Sequence, residues 1–149
     1  MSAMLYLFRH GDAEHERGDD AARRLTEKGE RQARDGGAAL ARLGAQLDAC
    51  LTSPKVRAAE TARLACESLP GIEPEVAPEL AGGDFDSLAL AAGRGDVLLV
   101  GHEPDLSNEI ARLTGAKAKL RKGGVAIVDG SVLQALLRPT DLKRIAAAH

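Results

Sequence analysis

Aromatic side chains are nearly missing from this chain, with one tyrosine, two phenylalanines and no tryptophan in 149 residues. Successive bases find no stacking platform on such a surface, which excludes aromatic recognition of single-stranded nucleic acid and an aromatic-lined sugar or cofactor cleft. Charge of one sign is lacking as well. Twenty basic against 22 acidic residues leave a net charge of −2, so the long-range field gathers no polyanions and any anion site has to be local. The two cysteines, Cys50 and Cys66, lack CxxC spacing and cannot form a disulfide framework; they read as small buried hydrophobes in a reducing cytoplasm. No apolar run approaches membrane-spanning length. The apolar stretch Met4–Phe8 ends at Arg9 and His10 without the cleavage pattern of a signal peptide.

What is present is the balance of a globular domain, with 44% hydrophobic and 28% charged residues, enough apolar surface for one core spanning residues 1–149. Met4–Phe8, Asp48–Thr52 and Asp96–Val100 are short continuous apolar runs, the pattern of strands buried on both faces of a parallel sheet. A helix is expected after each: from an N-cap at Thr26 to Gly44, from Ser53-Pro54 to about Leu69, and from Asp105 to Leu113. Gly36 and Gly37 weaken the first helix by about 1 kcal/mol each relative to alanine, so close packing against a neighbour is the reason to expect them there. Residues 70–83 read as a loop and Asp84–Ala92 as a short helix. Val125–Val128 and Val132–Leu137 flank Asp129-Gly130-Ser131, a hairpin signal, and Asp141–His149 reads as a terminal surface helix. Strands alternating with helices predict a three-layer α/β/α sandwich, its mostly parallel sheet extended by an antiparallel hairpin.

In such sheets, ligands bind beyond the carboxyl ends of the strands. Three strand ends carry unusual polar groups: Arg9-His10-Gly11, Ser53 with Arg57 one helical turn beyond, and Gly101-His102. Two arginines and two histidines near helix N-termini describe a pocket for a small dianion such as a phosphoryl group. Arg9 and Arg57 supply guanidinium forks that match phosphate oxygens. A neutral His10 can attack phosphorus and split one hard displacement into two easier ones. A backbone carbonyl on its other ring nitrogen would set the tautomer, and His102 is placed to donate to the transferring group. Ser53 either touches phosphate or caps the following helix.

Arg9-His10-Gly11, Leu25-Thr26-Glu27-Lys28-Gly29 with Gln32-Ala33, Thr52-Ser53-Pro54 followed by Arg57 and Glu60-Thr61-Ala62, and Val100-Gly101-His102-Glu103-Pro104 resemble, in this order, the histidine phosphatase superfamily. The short length, Pro78-Glu79-Leu80 with Gly82-Gly83-Asp84, and the ending from Lys122-Gly123-Gly124 to Pro139 resemble its small SixA-type branch, the phosphohistidine phosphatases. The resemblance implies a phosphoenzyme at His10, a phosphate pocket of Arg9, Arg57 and His102, and neither metal nor cofactor. Its proton donor would be Glu79, with Asp84 and Asp12 behind it. Larger members cover the site with long insertions, whereas here the second helix and third strand are separated by a short segment, so an open site is expected. An open site suits a phosphohistidine-bearing protein, such as a phosphorelay domain, better than a small phosphorylated substrate that must be enclosed.

Three other readings stand beside this one. A small-molecule phosphomonoesterase would use the same pocket with Glu79 as its acid. A phosphate-recognition module would keep the pocket without turnover. A metal-dependent phosphoesterase would draw ligands from His10, Asp12, Glu14, His15 and Glu16, although that spacing fits no familiar metal pattern; the plainer reading of residues 12–16 is a solvated loop. Lys117, Lys119, Arg121 and Lys122 form a local basic patch, usually a solvated turn, that could serve as a docking edge for an acidic partner.

Overall fold

A computed structural model describes residues 3–15 and 18–148. Strand β1 (Met4–Arg9) leads to helix α1 (Glu27–Arg42), strand β2 (Ala49–Thr52) and helix α2 (Val56–Cys66). Strand β3 (Pro74–Val76), a 3-10 turn (Pro78–Ala81) and helix α3 (Ser87–Ala91) follow, then strand β4 (Val97–Gly101) and helix α4 (Asp105–Thr114). Strands β5 (Val125–Asp129) and β6 (Val132–Leu137) form the expected hairpin, and helix α5 (Pro139–Ala147) ends the described chain. His149, the last residue of the expected terminal helix, lies outside the described residues, as does Glu16.

The six strands lie in the order β3-β2-β4-β1-β5-β6. β3, β2, β4 and β1 are parallel, whereas β5 runs antiparallel to β1 and β6 antiparallel to β5. Side chains alternate across the sheet, which gives each face its own core. Leu5, Leu7, Leu51, Val97 and Leu99 pack with Leu106 and Ile110 of α4 on one face. Tyr6, Phe8, Cys50, Leu98 and Val100 pack with Leu40, Ala62 and Leu142 of α1, α2 and α5 on the other. The fold is the three-layer α/β/α sandwich that the strand and helix pattern predicts.

Element ends depart from expectation where local punctuation misled. Pro54 precedes α2 instead of sitting in its first turn; the helix begins at Val56 and ends at Cys66, short of Leu69. Residues 70–83 are not all loop, because Pro74–Val76 pairs with β2 as an edge strand and Pro78 opens the 3-10 turn. That strand is three residues long and mostly exposed, so it carries no hydrophobic pattern for a sequence reading to find. α5 starts at Pro139, two residues early, with the Asp141 carboxylate accepting from the Arg138 N–H.

Thr26 does cap α1, its hydroxyl accepting from the Gly29 N–H. The paired glycines of α1 have the expected reason. A Cβ on Gly36 would stand 2.3 Å from the Phe8 ring, and one on Gly37 would stand 2.1 Å from the Ala65 carbonyl oxygen. At Gly36 α1 receives the Phe8 ring of β1, and at Gly37 the backbones of α1 and α2 meet directly.

Candidate active site

Strand register decides which polar residues meet. β1 and β4 are adjacent, with Arg9 opposite Gly101, so the next residues, His10 and His102, emerge side by side. Their ring centroids are 5.2 Å apart at an interplanar angle of 56°. β2 flanks β4 with Thr52 opposite Val100, which brings Ser53 to His102: Ser53 Oγ lies 2.8 Å from His102 Nε2. Four residues separated by up to 93 positions thus share one rim of the sheet because three parallel strands end level.

The His10 ring is held by its own turn. Nδ1 lies 2.7 Å from the Gly11 carbonyl oxygen, a contact that requires the proton on Nδ1 and leaves the Nε2 lone pair free. The Gly11 N–H donates to Thr61 Oγ1, and the Thr61 hydroxyl donates to the Arg57 carbonyl. Thr61 therefore couples the turn carrying His10 to the helix carrying Arg57. Gly11 also needs its small size, since a Cβ there would stand 2.5 Å from the Gly29 carbonyl oxygen.

Ser53 is fully buried, and its hydroxyl is occupied twice, accepting from the Lys55 N–H and pairing with His102. Of the two roles considered for it, the helix cap is not made: the residue before α2 is Lys55 and α2 has no side-chain cap, while Ser53 holds the preceding turn and faces His102.

The arginines approach from two sides. Arg9 Nη1 donates to the Leu120 carbonyl at 2.9 Å. Arg57 is buried, with Nη1 donating to the Asp20 carbonyl at 2.9 Å and Nη2 to the Asp20 carboxylate at 3.3 Å. Asp20 opens a short 3-10 turn (Asp20–Ala22) beside α2, in a strap whose two ends are pinned together by Glu14 N–H to Arg24 O and Thr26 N–H to Asp12 O. Lys55 and Arg23 also reach its carboxylate. Asp20 is the site neighbour that the sequence reading missed. It is 37 residues from Arg57, and no local pattern announces the contact.

Electrostatics follow from burial amid cations. His10 is pushed down to about 4, chiefly by burial, with Arg57, Arg9 and Lys122 adding to the effect and the Gly11 carbonyl opposing it. His102 is pushed down to about 3 by burial, then by His10, Arg57 and Lys55, against Asp20. Both rings are therefore neutral at pH 7. Asp20 is held down at about 2, first by Arg23, with Arg57 and Lys55 contributing. Among the described residues, four buried side-chain polar atoms lack a hydrogen-bond partner: Arg9 Nε, Arg57 Nε, His102 Nδ1 and Glu60 Oε1. Such a group costs about 1–3 kcal/mol. Three of the four belong to the side chains at this rim, the arrangement expected where polar capacity is reserved for a ligand.

Among the described residues no hydrogen bond or ion pair ties Glu79, Asp84 or Asp12 to these side chains. Glu79 is exposed in the 3-10 turn after β3, and Asp84 is exposed beyond it. That turn is attached at the same end of the sheet by Ala77 N–H to Thr52 O. Asp12 is engaged by the Thr26 hydroxyl and by Lys122. Among the described residues no three His, Cys, Asp or Glu side chains gather as a metal-binding group, so the run from His10 to His15 is not assembled into one. The segment between α2 and β4 gives Ala77, Leu80, Phe85 and Ala91 to the core. Among the described residues no helix is long and apolar enough to cross a membrane.

Known proteins resemble this chain in sequence and in fold. The family model of the histidine phosphatase superfamily (branch 1) matches residues 5–90. An uncharacterized protein of Picosynechococcus sp. is 34% identical over 134 residues, covering 81% of each chain. A solved structure assigned as phosphohistidine phosphatase SixA from Agrobacterium tumefaciens superposes with a TM-score of 0.82 at 23% identity, covering 93% of this chain and 99% of that one. The protein histidine phosphatase SixA complexed with tungstate gives 0.81 at 25% identity, covering 94% and 99%. A structure assigned as an α-ribazole-5′-P phosphatase from Escherichia coli gives 0.73 at 21% identity, covering 93% and 98%. With more than half of its length matched, and with the matched segment carrying the strand that ends in Arg9-His10-Gly11 and the helix that carries Arg57, the chain belongs to the histidine phosphatase superfamily.

Proposed function

We propose that the protein is a phosphatase that removes phosphoryl groups from phosphohistidine on a protein, through a phosphoenzyme at His10. The observation that carries the proposal is the state of His10: neutral, buried, with Nδ1–H on the Gly11 carbonyl and flanked by His102 and two arginines. A ring held this way presents Nε2 as a nucleophile without first losing a proton. Arg9 and Arg57 hold the non-bridging oxygens, and His102, oriented by Ser53, donates its remaining N–H to the charge that spreads over them. The tungstate bound by a SixA protein of similar fold supports an oxyanion site, since tungstate is tetrahedral and dianionic as phosphate is.

In the first step the His10 Nε2–P bond forms as the P–N bond of the substrate breaks, and the substrate imidazole departs as a neutral ring. In the second, water attacks phosphorus, the His10 N–P bond breaks and inorganic phosphate leaves. A protonated phosphoimidazole is a good leaving group, so the first step needs little general acid. The exposed position of Glu79 is compatible with that chemistry. An alkyl phosphate would demand more of Glu79, and this is what separates the proposed substrate from the small phosphate esters on which other superfamily members act.

Incubation with a histidine-phosphorylated protein and, in parallel, with a panel of sugar and alkyl phosphates tests the proposal. The expected result is release of phosphate from the first, with an acid-labile phosphoenzyme trapped at His10. Faster turnover of the alkyl esters would assign the protein to small-molecule phosphomonoesterases. Binding of phosphate without release from any substrate would make it a recognition module.

A further inference from the structure

Residues 117–122 carry four basic side chains and no acidic one, in a chain whose net charge is −2. They form a built feature of the fold. Ala118 and Leu120 are buried while Lys117, Lys119 and Arg121 are exposed, so the segment turns its apolar residues inward and displays a row of cations outward. Its middle and its C-terminal end are fastened beside the site. The Leu120 carbonyl accepts from Arg9 Nη1, and the Leu120 N–H donates to the Glu103 carboxylate. The Gly123 N–H donates to the carbonyls of Arg9 and His10. Beside the row lies a cleft of about 510 Å³ with Arg9 in its wall and Lys28 of α1 among its other lining residues. Its one acidic lining residue, Asp12, lies 3.6 Å from Lys122, which leaves Lys28, Lys119 and Arg121 without an ion-pair partner among the described residues.

We infer that this basic row beside the catalytic pocket is the docking face for the acidic surface of a phosphoprotein substrate, delivering the phosphorylated side chain to His10. The inference rests on the phosphohistidine reading for the reaction but not for the docking. Charge complementarity is the physical basis. Exposed cations next to a reacting centre favour an acidic partner and speed its encounter without touching the transferring group. A small phosphate carries its charge into the pocket itself and gains little from cations along the rim.

The experiment uses two histidine-phosphorylated peptides of identical length, one flanked by Asp and Glu and the other by Lys. Binding is read by fluorescence anisotropy on a His10→Ala background, and hydrolysis on the intact enzyme. Expected is a preference of about 10-fold for the acidic peptide in both Kd and kcat/KM, consistent with two or three exposed pairs and weakening as salt is raised from about 50 to 300 mM. In Lys119→Glu/Arg121→Glu the preference should vanish or reverse while kcat/KM for phosphoramidate stays within about twofold of the parent. The milder Lys119→Gln/Arg121→Gln, checked for an unchanged Tm, should give an intermediate ratio. Equal binding of the two peptides, or an equal loss on phosphoramidate, overturns the docking face. Preference in binding with no hydrolysis of either peptide keeps the face and overturns phosphohistidine as the substrate.

Discussion

Arg57 and Asp20 form a two-point contact, in which the guanidinium donates once to the Asp20 carbonyl and once to its carboxylate. The backbone half of this contact survives any side-chain change at position 20, whereas the carboxylate half places a negative charge against a guanidinium that, in the proposed reaction, holds a phosphoryl dianion. Asp20→Asn keeps the hydrogen-bonding shape and removes the charge. The expected outcome is tighter binding of inorganic phosphate and tungstate by about three- to fivefold, in keeping with a partly exposed charge, read as inhibition constants. Weaker binding would show that the carboxylate serves to hold Arg57 in place.

His10→Ala should abolish turnover together with the acid-labile phosphoenzyme. His102→Ala and Arg57→Ala should each lower kcat by about 10²- to 10³-fold, the usual cost of one preorganised donor. Ser53→Ala leaves the imidazole in place but unties its Nε2, so its loss should fall between those variants and the parent. Single-turnover kinetics on phosphoramidate distinguish the three. An unchanged rate for Arg57→Ala would remove it from the pocket.

The depressed histidines give a signed pH dependence. His10 and His102 titrate near 4 and 3 in the folded protein and near 6.5 when unfolded. Below pH 6.5 the unfolded chain therefore binds protons that the native state refuses, so stability is lost as pH falls from about 6.5 towards about 4, by up to about 1.4 kcal/mol per pH unit for each ring. Above pH 6.5 neither contributes. Urea melts of the parent and of His102→Asn at pH 7 and pH 5 measure the difference, which should shrink in the variant. The same shift predicts an acid limb of kcat/KM near pH 4, after correction for ionisation of the substrate, where an unperturbed histidine nucleophile would give one near 6.5.

Gly37→Ala tests the packing of α1 on α2. An added Cβ would stand 2.1 Å from the Ala65 carbonyl oxygen, and two backbones must separate to admit it. The gain in helix propensity, about 1 kcal/mol, is smaller than the overpacking cost of about 1–3 kcal/mol. A net loss of stability is expected, read as a lowered Tm in thermal melts.

Much of the molecule was legible in one dimension because it is encoded locally. Apolar runs mark strands buried on both faces, a threonine ahead of a helix-prone run marks the start of α1, and Asp-Gly marks the hairpin. The polar residues that gather at this rim could be named because each lies at or just past the end of a parallel strand or in the first turn of a helix, and parallel strands end on the same side of a sheet. β3 was hidden because a short exposed edge strand buries too little to leave a pattern.

Register lay beyond the reach of the linear chain. Only the pairing of Arg9 with Gly101 and of Thr52 with Val100 sets His10 against His102 and hands His102 to Ser53. Only the returning strap lays Asp20 on Arg57. Side-chain identity and local periodicity are properties of neighbours in sequence, whereas the partner of a buried polar group is chosen by which strand ends pack level, and that choice belongs to the assembled core.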